Sequence, residues 1–87
     1  MTPKDVAEYM VTQMGEGHWL YQETIVYRIR NDCGPEFVYN NASGNLAIDK
    51  AVLREFKKLT ENTLVWERGS KAWRRRRGHD KPGREQE

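Results

Sequence analysis

The side chains in this sequence best able to do chemistry are its cations. Lys50, Arg54 and Lys57 recur at intervals of four and three residues, the repeat of one helical face. Arg68 and Lys71 flank Gly69-Ser70, and Arg74, Arg75, Arg76 and Arg77 follow in an unbroken run. Guanidinium forks and ammonium charges are what phosphate oxygens require. The candidate nucleic-acid-binding set is therefore Lys50, Arg54, Lys57, Arg68, Lys71, Arg74, Arg75 and Arg76. Neutralising about five phosphates would make log K fall against log salt with a slope of roughly −4 to −5. The competing reading is a solvated basic surface, or one that docks on an acidic protein. The sequence pI of 8.8 lies just under what a nucleic-acid-binding domain usually shows. Arg54 and Asn45 have donors suited to base edges, but nothing in the sequence fixes their geometry.

Other chemistries find little support. His18 and His79 are far apart, and neither has a second His or Cys at metal-ligand spacing. Cys33 is the only cysteine, which excludes an intramolecular disulfide and a thiolate cluster. It falls in line with Ile25 and Ile29 and reads as a small buried hydrophobe. Glu8, Glu16, Glu23, Glu36 and Glu55 are scattered, with no pair spaced for general acid and base roles. Gly15-Glu16-Gly17 lacks the further glycine and preceding strand of a phosphate loop. No enzyme and no cofactor are expected. Trp66 and Trp73 suit a stacking platform for bases, but core packing is the plainer role of aromatics in a small domain.

The elements that must position these groups follow from patterning. In 87 residues there is room for one domain, and a chain this short has a lean core that dimerisation would help. Residues 1–67 carry 7 Lys/Arg against 10 Asp/Glu, whereas residues 68–87 carry 8 against 3. That polarity suggests an acidic partner: nucleic acid, another protein, or the acidic half of a second copy. No apolar run approaches the length of a membrane span and none reads as a signal-peptide core, so cytoplasm is the expected location.

Thr2-Pro3-Lys4-Asp5 reads as a helix start, with Thr2 as N-cap and Pro3 in the first turn. Val6, Met10 and Met14 mark the inner face, and Gly15 and Gly17 the stop. Residues 18–21 read as a short strand or packed linker. A second helix follows from Gln22, with Ile25, Val26, Ile29 and Cys33 inward, ended by Gly34-Pro35. Residues 37–48 are either a small hairpin or a loop. Asp49 then opens the clearest helix, with Val52, Leu53, Phe56 and Leu59 inward and the basic stripe outward. The last element reads as a hairpin turning at Gly69-Ser70, pairing Arg68 with Lys71, Glu67 with Ala72 and Trp66 with Trp73. Residues 1–77 form the expected domain, and residues 78–87 a flexible, basic and polar tail. Tyr9, Tyr27 and Tyr39 are expected at the surface, where they extend a face suited to a homodimer.

The resulting class is α+β. The order of helix, strand, helix, helix and hairpin is winged-helix-like, with the third helix as recognition helix and the hairpin as wing. Residues 34–48 separate the second and third helices by more than a tight turn. Either a short extra strand pair is inserted in that interval, or the winged-helix order does not hold. Leu20-Tyr21-Gln22-Glu23-Thr24, Gly44-Asn45-Leu46-Ala47-Ile48, Leu53-Arg54-Glu55-Phe56-Lys57-Lys58-Leu59-Thr60, Val65-Trp66-Glu67-Arg68-Gly69 and Pro82-Gly83-Arg84 carry a further signal. On these segments the chain resembles a family of small uncharacterised bacterial proteins. That resemblance implies a domain of unknown function and adds no mechanism. The functional expectation is a small nucleic-acid-binding module, with an interaction module for an acidic partner as the alternative.

Overall fold

The computed structural model describes residues 1–78, 80 and 83–86. The reading of His79, and of the tail at positions 81, 82 and 87, lies outside them. Helix α1 spans Pro3–Met14. The Thr2 hydroxyl accepts from the Asp5 amide, and the Asp5 carboxylate accepts from the Thr2 amide, a reciprocal capping box. Val6, Ala7, Met10 and Met14 face inward, and Gly15 at φ 52° ends the helix. Strand β1, Trp19–Tyr21, leads directly into helix α2, Gln22–Asp32. No side chain caps α2; instead the Gln22 amide donates to the Lys71 carbonyl at 3.1 Å. Helix α2 buries Ile25, Val26 and Ile29.

The interval left open between hairpin and loop is a hairpin. Gly34 at φ 133° leads into one 3₁₀ turn, Pro35–Phe37, followed by β2, Val38–Asn40, and β3, Leu46–Ile48. They pair antiparallel, with Tyr39 opposite Ala47. Asn41 organises the loop: its side-chain oxygen accepts from the amides of Ser43 and Asn45, both at 3.0 Å. Helix α3, Lys50–Thr60, follows with Asp49 in the N-cap position, although its side chain makes no capping bond. Val52 and Phe56 are fully buried and α3 lies against α1. Leu59, expected inward, is 43% exposed, and Thr60 takes the inner position. Thr60 lies one helical repeat beyond Phe56, and its buried hydroxyl is satisfied by donating to the Phe56 carbonyl at 2.7 Å.

Strands β4, Leu64–Glu67, and β5, Ala72–Arg75, complete the C-terminal hairpin. The register sets Trp66 opposite Trp73 and Glu67 opposite Ala72, as the sequence suggests. Pairing stops there. Residues 68–71 form a four-residue loop in which Lys71 takes φ 50° and its amide donates to the Arg68 carbonyl at 3.4 Å. One left-handed residue matches the loop to the strand twist, so Arg68 and Lys71 are loop residues rather than a ladder pair. β1 joins the far side of β5, with Leu20 opposite Trp73. The inner face of this sheet brings Leu20, Leu64 and Trp73 into the core, where the Phe56 ring meets Trp73 edge-on at 5.1 Å.

The segment expected to run loose does not do so where it is described. Strand β6, Glu85–Gln86, lies parallel to β4, giving the order β1-β5-β4-β6. The Trp66 amide donates to the Arg84 carbonyl at 2.7 Å. Composition gave no hint of this return, because the attachment uses backbone groups and one arginine rather than apolar side chains. Among the described residues no helix is long and apolar enough to cross a membrane.

Candidate nucleic-acid interface

The basic stripe of α3 is displayed as its spacing requires. Lys50, Arg54, Lys57 and Lys58 are all exposed. Lys58 pairs with Glu55 at 3.1 Å, within the helix. Among the described residues, no carboxylate lies within ion-pair distance of Lys50, Arg54 or Lys57. These three follow one line over two turns of helix, a rise of about 10 Å. The hairpin loop adds Arg68 and Lys71, both exposed. Arg68 approaches Glu85 at 3.9 Å, with both side chains more than half exposed, so this pair is weak.

The arginine run behaves differently. Arg74 sits on the outer sheet face beside Val65 and is only 5% exposed. Its Nε donates to Glu67 at 2.7 Å, and its Nη1 and Nη2 reach Asp80 at 3.0 and 2.8 Å. Asp80 also accepts from the Arg77 amide, so the chain beyond β5 is folded onto the guanidinium. The hydrogen bonds that Arg74 donates to Asp80 and Glu67 raise its pKa, so the guanidinium stays charged. In return the guanidinium holds the Glu67 carboxyl below the usual carboxylate range. As a phosphate ligand Arg74 is therefore corrected: all three of its donor groups are committed inside the protein. Arg75 is exposed, but its guanidinium donates to the Gly15 and Gly17 carbonyls and ties the hairpin to the loop after α1. Arg76 is half-buried and its Nη2 donates to the Gly83 carbonyl at 2.6 Å. The run is thus a set of clamps on three loops rather than a strip of displayed charge.

One cation escaped sequence reasoning. Arg84 is half-buried over the Phe56 ring, its Cζ 5.6 Å from the centroid. Its Nη1 donates to the Thr60 carbonyl at 3.1 Å and the Leu64 carbonyl at 2.9 Å. Burial, with Arg76 nearby as a second cause, pushes its pKa down to about 10. A lone arginine after Gly83, with no apolar periodicity around it, gives no sequence signal of such a position.

The aromatic and thiol candidates are placed as follows. Trp73 is buried; Trp66 is half-buried, its ring 4.7 Å from that of Trp73. Cys33 is a half-buried thiol whose pKa is raised, chiefly by burial. Tyr27 and Tyr39 are exposed as expected. Tyr9 is not: it is half-buried, and its hydroxyl donates to Asp32, which together with the dominant effect of burial pushes its pKa up to about 12. Among the described residues no group of three or more His, Cys, Asp or Glu is placed to hold a metal ion.

The chain belongs to a family of unknown function (DUF6953), whose model matches residues 2–75. No curated protein and no solved structure matches it.

Proposed function

We propose that the protein is a non-enzymatic nucleic-acid-binding module of winged-helix type, which places α3 against a duplex and the loop at residues 68–71 against the flanking phosphates. The observation that carries this reading is the stripe Lys50, Arg54 and Lys57, exposed on one helical line without a carboxylate partner among the described residues. Unpaired cations at helical spacing suit phosphates along a groove. The element order supports it: β1 follows the first helix and pairs with the returning strand of the hairpin, and Trp73 of that strand packs against Phe56 of α3. The β2–β3 hairpin is then an insertion between the second and third helices. Arg68 and Lys71 complete the surface, whereas Arg74, Arg75 and Arg76 support it from within.

The test is fluorescence anisotropy on a labelled random-sequence duplex. The protein is expected to bind at about 50 mM salt and to lose affinity by orders of magnitude at about 200 mM. The K50Q/R54Q/K57Q variant is expected to flatten the slope of log K on log salt by about 3. Absence of binding at the lower salt, or an unchanged slope in the variant, overturns the reading. In that case an acidic protein partner or a second copy of the chain becomes the reading to pursue.

A further inference from the structure

A cleft of about 650 Å³ opens between α3, the C-terminal hairpin and the returning segment at residues 83–85. It lies within the size range of small-molecule sites. Leu53, Phe56, Trp66 and Trp73 supply its apolar walls. Trp66 is only half-buried, so part of its indole faces the opening rather than the core. Lys57 and Arg84 stand at the edge of this cleft and also line a smaller, more polar hollow of about 420 Å³ beside it, which Arg76 borders. An aromatic compartment thus adjoins a cationic one, and both share the same two cations.

The state of Arg84 specifies what is missing. Its Nη1 is engaged by two carbonyls, but among the described residues Nε and Nη2 have no hydrogen-bond partner and no carboxylate forms an ion pair with the group. Among the described residues no buried side-chain nitrogen lacks a partner, so these donors reach the accessible space of the hollows. Arg76 is close enough to disfavour the charge on Arg84. An incoming anion would relieve that repulsion and complete the guanidinium fork. Two carboxylates border the region: Glu85 approaches Arg68, and Glu61, which lines only the smaller hollow, favours the Arg84 charge from a distance without forming an ion pair with it. The Trp66 amide holds the Arg84 backbone at 2.7 Å, so the cation is fixed in place before any ligand arrives.

We propose that this cleft binds a small planar aromatic anion, its ring against Trp66 and Trp73 and its acidic group between Arg84 and Lys57. The proposal shares Lys57 with the nucleic-acid reading but does not rest on it, since its test uses small anions and involves no duplex. A mononucleotide and an aromatic carboxylate share the required chemistry.

The experiment is a titration of the ¹⁵N-labelled full chain, followed through its three tryptophan indole N–H signals. The probes are benzoate, adenosine monophosphate and benzamidine, the last having a similar ring and the opposite charge. Saturable shifts are expected at Trp66 and Trp73 with either anion, while Trp19, on the other sheet face, stays still. Benzamidine is expected to bind at least about tenfold more weakly than benzoate. The exposed change Lys57→Glu, which leaves the core untouched, is expected to weaken the anions by roughly tenfold, as is Arg84→Gln. Tighter binding of the nucleotide identifies a nucleotide site, and tighter binding of benzoate a carboxylate site. Absence of saturable shifts with both anions to about 10 mM, equal binding of benzamidine, or a Lys57→Glu variant that binds as the parent does overturns the proposal.

Discussion

Along α3, Lys50, Arg54 and Lys57 stand at the surface with no carboxylate in reach among the described residues, while on and after β5, Arg74, Arg75 and Arg76 each grip another part of the chain. The two regions are alike in composition and opposite in use. Helix geometry explains the first: with Val52 and Phe56 facing α1 and the sheet, residues 50, 54 and 57 must face out. The second follows from the route of the chain after β5, which folds back over the sheet face that carries Arg74. There the continuation is held to the arginines by carboxylates and carbonyls. Clustered positive charge in a sequence therefore does not locate a binding surface until the carboxylates and carbonyls around it are known.

The largest expected effect tests the structural half of that contrast. Arg74→Met removes the buried cation that Glu67 and the Asp80 side chain, 4% exposed, share. The cost is expected near 3 kcal/mol, the lower end for breaking a buried pair, since the thin outer layer leaves solvent close by. Urea denaturation at pH 7 measures it, and a loss under about 1 kcal/mol would mean that Arg74 is a surface residue after all. The pH dependence adds a second reading of the same variant. The pKa of Glu67 is lowered in the folded chain, so its contribution is present at neutral pH and disappears as pH falls through the carboxylate range. Removing Arg74 should flatten that acid limb.

Much of the fold was legible because it rests on side-chain periodicity and local capping. Thr2 and Asp5, the inward rows of α1 and α2, and the Trp66–Trp73 register are all local or nearly local patterns. What escaped was non-local and polar. The partners of Arg75 are carbonyls about sixty positions away, and β6 attaches through backbone groups beside Arg84, where no side-chain pattern announces a strand. The candidate interface divides along the same line: the stripe on α3 obeys a helical repeat, whereas the fate of Arg74, Arg75 and Arg76 depended on where distant oxygens came to rest.

Arg75 marks the intermediate case, exposed yet committed. Arg75→Gln loses donors to the Gly15 and Gly17 carbonyls, which then turn to water rather than being stranded. The expected loss is therefore only about 1 kcal/mol. Faster amide hydrogen exchange should appear at residues 15–18, where the hairpin no longer holds the loop. Unchanged exchange there would show that the contact does not organise the loop and would move Arg75 to the displayed class.

The smallest expected effect on stability belongs to K50Q/R54Q/K57Q, and its smallness is the point. Glutamine keeps the helix propensity of these positions nearly constant. No ion pair with a described residue is lost, and removing three like charges from one face relieves mutual repulsion. The unfolding free energy from urea denaturation should therefore change by no more than about 0.5 kcal/mol in either direction. A loss several times larger would mean that these cations hold the fold as Arg74 does, and the contrast between the two regions would collapse. A neutral result combined with a flattened salt dependence of duplex binding would separate the stripe from the structure it stands on: charge that the fold does not need is charge available to a partner.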